Sequence, residues 1–167
     1  MSSISSSLKL DTTGLDALLN NIKDASNMHV KVGILKESAS RNGGELNNAR
    51  IGNFHEQELG SMSKGLPQRS FLKMPLEFKG KEIAEYLEKN HESIMKDLTL
   101  DKGVRRIYFK VGTKAKLIIK DAFFTGGFGQ WTPLKASTIK RKNNNLILVD
   151  TGQLEKSIRF RLDLNNA

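Results

Sequence analysis

Hydrophobic residues along this chain follow two periods, and the places where one gives way to the other outline its elements. Over residues 13–24, Leu15, Leu18, Leu19 and Ile22 fall at i, i+3, i+4 and i+7. That spacing predicts a helix with one apolar stripe, and Asp11, Thr12 and Thr13 offer N-caps. Residues 29–35 switch to period two, with Val30, Val32 and Ile34 on one face and His29 and Lys31 on the other. This is the pattern of a half-buried strand. Pro75 suits the first turn of a second helix, which is expected to run to about residue 98. Ile83, Leu87, Ile94 and Leu98 line its inner face, and Glu85–Lys89 and Glu92–Lys96 are spaced as favourable i, i+4 pairs. After a turn at Asp101-Lys102-Gly103, a third helix is predicted over 104–124, grouping Ile107, Val111, Ala115, Ile118 and Ala122. Gly112 interrupts it, at a propensity cost of about 1 kcal/mol. Residues 157–164 return to period two, with Ile158, Phe160, Leu162 and Leu164 expected inward.

Between the first strand and the second helix the pattern is weaker. Residues 38–45 and 60–65 read as polar loops, and 46–56 as a short helix touching its neighbours through Ala49 or Arg50, Ile51 and Phe54. Strands near both ends with helices between them predict an α+β fold. Its small, mostly antiparallel sheet is packed against two long helices, with long loops at 36–50 and 57–66. Residues 11–164 form one domain, 1–10 a flexible leader and 165–167 a tail. The leader lacks the basic start and apolar core of a secretory signal. No uncharged apolar run is long enough for a membrane helix.

Charge adds one feature. Residues 1–100 are balanced, with 13 basic and 13 acidic side chains, whereas 101–167 carry 14 basic against 5 acidic and hold the whole net charge of +9. The third helix concentrates it: Arg105, Arg106, Lys110, Lys114, Lys116 and Lys120 occupy the half opposite its apolar group. An anionic partner follows, either nucleic acid or an acidic protein surface. Arg141, Lys142, Arg159 and Arg161 could extend the face. A nucleic-acid-binding module built on helix 104–120 is therefore one reading, although no stacking platform or helix-turn-helix, finger or RNA-recognition signature accompanies it.

Catalytic patterns are thin. His55-Glu56-Gln57-Glu58-Leu59 starts like the zinc-protease pattern H-E-x-x-H but carries Leu59 where the second histidine belongs. A small hydrolase would have to rest on His55 and Glu56 alone. His29 and His91 lie on other elements. The glycines of residues 125–130 fit neither phosphate-binding spacing and suit a helix C-cap and turn. The chain has no cysteine, so thiolate metal sites and disulfides are excluded. No metal, cofactor or small-molecule substrate is implied.

Three short blocks carry a resemblance. The first is Ala49-Arg50-Ile51-Gly52-Asn53-Phe54-His55-Glu56, followed by Gly60, and the second is Gly65-Leu66-Pro67-Gln68-Arg69-Ser70-Phe71-Leu72-Lys73-Met74-Pro75-Leu76. The third joins Trp131-Thr132-Pro133-Leu134 to Thr138-Ile139, then to Leu148-Val149-Asp150-Thr151-Gly152-Gln153-Leu154 and to Ser157-Ile158. In this order they resemble the phage virion-morphogenesis proteins of the Mu G type, small tail-completion components of long-tailed phages. The glycine that follows the His-Glu pair in that family is displaced here by Gln57, Glu58 and Leu59. The resemblance implies a non-enzymatic virion protein of the tail or neck, made in the host cytoplasm and joined to other neck and tail proteins, without a cofactor, and arranged as a ring of identical subunits whose basic face meets either an acidic neighbouring neck protein or the DNA in the channel. It places Ile51, Gly52, His55, Glu56, Pro67, Arg69 and Phe71 in one contact patch, and Trp131, Pro133, Leu134, Thr151, Gly152 and Leu154 in another. Two patches are what a closed heterologous ring requires. Independently of the likeness, Trp131 and Pro133-Leu134 read equally well as a corner anchored in the core, and Asp150 or Thr151 as the N-cap of a short turn.

Overall fold

The computed structural model describes residues 11–42, 47–57 and 67–164. The expected leader and tail, residues 43–45 of the first polar loop and all of the second lie outside the described residues. The fold is α+β. Strand β1 (Met28–Ile34) pairs antiparallel with β2 (Ile158–Leu164), Met28 opposite Leu164 and Ile34 opposite Ile158. Helix α1 (Thr13–Asn27) precedes β1, and a 3₁₀ turn at Lys36–Ser38 follows it. Then come α2 (Asn48–Glu56), α3 (Lys73–Lys89), α4 (His91–Leu98), α5 (Gly103–Thr125), α6 (Ala136–Lys142) and α7 (Gln153–Lys156). Helix α5 is the centre of the fold: it lies on both strands and receives α1, α3 and α4.

The core forms where α5 meets the segments that flank α3 and α7. Phe71, Ile119, Ala122, Phe123, Trp131, Leu154 and Ile158 are buried together. The Phe123 ring stands edge-on to Phe71 at 5.4 Å and to Trp131 at 5.9 Å, arrangements that add to simple area burial. Helix α5 is continuous through Gly112. A Cβ there would lie 2.4 Å from the Phe160 ring, so the missing side chain is what lets β2 approach the helix. Val104, Ala115, Ile118, Ile119, Ala122 and Phe123 are buried, while Ile107 and Val111 are only half-buried. The inner face is therefore centred further toward Ile119 and Phe123 than periodicity predicts. On β2, Leu164 is exposed instead of inward.

Two expectations fail for identifiable reasons. The helix expected over 75–98 divides at Asn90, which leaves helical geometry at φ −107° and ψ 17°. Its side-chain amide donates to the Tyr86 carbonyl at 2.7 Å, the local competition that makes asparagine a poor interior residue. The spaced pairs Glu85–Lys89 and Glu92–Lys96 do not form; on α3 the ion pairs join Lys79 to Glu82 and Lys73 to Glu77.

The apolar stripe of α1 also faces the wrong way. Leu15, Leu19 and Ile22 are 56%, 57% and 57% exposed, and Leu18 is half-buried. The buried residue of α1 is Asn21. Its amide donates to the carbonyls of Leu98 and Leu100, each at 2.8 Å, and its oxygen accepts from the Val104 N–H at 3.0 Å. The α4–α5 turn leaves backbone groups in need of partners, and one asparagine satisfies three of them. That requirement, and a further bond from the Tyr108 hydroxyl to the Ala25 carbonyl at 3.1 Å, sets which side of α1 docks.

A cationic pocket where the three motif blocks meet

At the N-terminus of α3, Leu72 supplies no side-chain cap, and the local cap comes from Ser70, whose hydroxyl accepts from the Met74 N–H at 3.0 Å. Glu56, at the end of α2, adds further acceptors from outside. Its carboxylate accepts the N–H groups of Phe71 and Leu72 at 2.6 and 2.5 Å and the Ser70 hydroxyl at 2.8 Å. An anion at a helix N-terminus meets both free donors and the positive end of the helix dipole. The His55 carbonyl accepts from the Arg69 N–H at 3.0 Å. The Trp131 indole N–H donates to the Ser70 carbonyl at 3.0 Å. Arg69 donates through Nε and Nη2 to the Thr132 carbonyl at 3.1 and 3.0 Å, and through Nη2 to Pro133 at 3.4 Å. These bonds stitch the first, second and third blocks into one body.

The residues assigned to subunit contacts are thereby divided. Gly52, Arg69, Phe71, Trp131 and Leu154 are buried within the chain. A Cβ on Gly52 would meet Ile34 at 2.8 Å and Phe71 at 3.0 Å, so this glycine serves packing. Ile51, His55, Glu56, Pro67, Leu134 and Gly152 are half-buried, and Pro133 and Thr151 are exposed. Gly152, at φ 73°, precedes α7 in the left-handed region, and neither Asp150 nor Thr151 caps that helix. The glycines after α5 are a helix C-cap and turn, as their spacing predicts: Gly126 and Gly127 have positive φ, and Gly127 lies against the Trp131 indole.

Beside this body, between α2, α6 and the turn before α7, is a cavity of about 220 Å³. Arg41, Arg69, Arg141 and Lys142 contribute its cationic lining, and among the described residues only Asp150 lines it with the opposite sign. His55 is on its wall. Burial, reinforced by the Arg69 charge, pushes the imidazole down to about 4, so the ring is neutral at physiological pH. Its Nδ1 is buried with no hydrogen-bond partner among the described residues. Burial also lowers the Lys142 ammonium; Asp150 opposes that shift, and Arg69 and Arg141 add to it. The Arg69 guanidinium is lowered by burial. These groups feel one another, as cations brought into one space must.

Glu56 does not share this space. It lines a separate cavity of about 450 Å³ with Ser70, Lys73, Glu77 and Trp131. The two residues a hydrolase would need thus face different cavities, and Glu56 is already engaged by three donors. Among the described residues no group of three histidine, aspartate or glutamate side chains is placed to hold a metal. None of the described helices is long and apolar enough to cross a membrane.

On α5 the basic face is partly neutralised from within. Lys110 pairs with Asp97 at 2.7 Å, Lys114 with Glu82 at 3.0 Å and Lys120 with Glu155 at 2.5 Å. Lys116 sits 5.7 Å from the centre of the Phe160 ring. Arg105 and Arg106 are exposed and have no ion pair among the described residues. The cationic pocket was harder to foresee. Arg141 and Lys142 stood out in the sequence only as extensions of the basic helix face, and nothing in the spacing tied them to Arg41 or Arg69. No known family, curated protein or solved structure matches this chain.

Proposed function

We propose that the protein is a structural component of a long-tailed phage, acting in tail completion or head–tail joining at the neck, with work done by binding and shape. The reading starts from the three-block resemblance. The observation that carries it furthest is the outward stripe of α1, where Leu15, Leu19 and Ile22 are each more than half exposed. A chain that keeps an amphipathic helix turned apolar side out carries a surface of the kind other subunits cover. In a ring, a neighbouring copy would cover it, and the loops at 36–50 and 57–66 would add contacts on assembly. Exposed Phe78, Leu117 and Phe124 on α3 and α5 supply further apolar surface.

The nucleic-acid reading keeps Arg105 and Arg106, which have no ion pair among the described residues. However, the internal ion pairs of Lys110, Lys114 and Lys120 reduce what this helix can offer a phosphate backbone, whose binding grows with the number of phosphates neutralised.

Electron microscopy of particles from a parent phage with an early stop codon in this reading frame tests the role. Filled heads accumulating beside separate or misshapen tails are expected. Normal infectious particles would overturn the joining role.

A further inference from the structure

The 220 Å³ pocket presents a charge imbalance that the described residues do not resolve. Buried cations in proteins are ordinarily paired. Arg69 is only 7% exposed, yet its partners are the carbonyls of Thr132 and Pro133, and no carboxylate pairs with it among the described residues. Those bonds use Nε and Nη2 and hold the guanidinium in one orientation. Nη1 has no hydrogen-bond partner among the described residues. Lys142 bonds the Leu146 carbonyl at 2.7 Å, and Arg141 is exposed at the rim. Leu148, also on the wall, holds φ 60°, a left-handed conformation that leucine adopts only when its surroundings impose it.

We infer that this pocket binds a carboxylate carried by a partner polypeptide, on an acidic side chain or a chain end, with Arg69, Arg141 and Lys142 as its ligands. Nη1 of the fixed Arg69 guanidinium offers a charge-assisted donor to one carboxylate oxygen, and Arg141 and Lys142 supply donors for the other. Ile51, Leu148 and Leu154 line the same space, and apolar walls strengthen a charged hydrogen bond by excluding water. The volume admits one small group. A nucleic-acid backbone would need cations continuing beyond it, and three of the four lysines of α5 are held by carboxylates of the same chain. Asp150 at the lining sets a limit on how many negative charges enter together.

The test is titration of the full chain with tetraglutamate, in free-acid and C-terminally amidated forms, followed by calorimetry and by NMR of the His55 ring and the Arg69 Nε–H. Saturable binding that perturbs both resonances is expected, weakened about tenfold by Arg141→Ala and likewise by Lys142→Gln. Arg141 is exposed, so its variant should keep the parent melting temperature; Lys142→Gln provides an independent second reading. Loss of binding on amidation assigns the site to a chain end, and equal binding assigns it to side chains. Absence of saturable binding, or affinity unchanged in both variants, would overturn the inference. So would inorganic phosphate or a 20-base-pair duplex matching the peptide at the same resonances. Peptide binding is measured on the isolated protein and the joining role in particles, so either can fail without the other.

Discussion

Glu56 shows how much one side chain can settle. In the sequence it is half of a His-Glu pair with a catalytic look; in the fold it is the outside cap of α3, taking three hydrogen bonds. Glu56→Gln keeps the size but removes the charge, and it leaves at least one buried donor poorly matched. Urea unfolding should show a loss of about 1–3 kcal/mol, and a stability equal to the parent would remove the capping role. His55 makes a prediction in pH. Its folded-state value of about 4 lies below the ordinary 6.5, so between those values the unfolded chain holds more protons than the folded one. Stability therefore falls as pH drops through that window and is fully retained above it. Allowing for the ring's partial exposure, the loss should be on the order of 2 kcal/mol. Denaturant midpoints at pH 7.5 and 4.5 measure it, and His55→Gln should flatten the slope. Asp163 is held at about 2 by Arg161 and Lys31, so its contribution is lost only below pH 4, outside that interval.

Among the elements, α1 separates two ideas usually taken together, that a helix is amphipathic and that its apolar face is the one buried. Leu19→Ser on the exposed stripe should change stability by less than about 0.5 kcal/mol. Asn21→Leu, the more hydrophobic choice, strands the Val104 N–H and the Leu98 and Leu100 carbonyls and should lose several kcal/mol. Thermal melts of the two variants decide it; equal losses would mean that the stripe is buried in solution. In the assembly the ranking inverts if a neighbour covers the stripe, with Leu19→Ser sparing the fold and impairing ring formation. The breaks and continuities of the other helices follow from single residues too. Asn90 divides a helix that periodicity alone joins, and Gly112 sits inside one that propensity alone would weaken, because the Phe160 ring occupies the space its side chain would need.

For the whole molecule, net charge is a poor guide to what the surface presents. Of the six basic residues expected to face a partner from α5, three are tied to carboxylates on α3, α4 and α7. Duplex DNA should accordingly bind weakly, with a dissociation constant above about 10 µM near physiological salt. Fluorescence anisotropy over a salt series measures this, and submicromolar binding with a steep salt slope would restore the nucleic-acid reading.

What the sequence determined by itself was the local order: two period-two strands near the ends, a helix over 13–24 and another over 104–124, the turn between residues 101 and 103, and an α+β class. Those are set by spacing between near neighbours, which a linear reading contains. The tertiary structure alone decided which face of α1 docks, which cations of α5 remain free, and that Glu56 and His55 serve different cavities. It also brought Arg41, Arg69, Arg141 and Lys142 to one pocket from three separate stretches of chain. Each of these outcomes depends on hydrogen bonds and charges between residues dozens of positions apart, where the partner that satisfies a buried group is chosen by packing and leaves no period in the sequence.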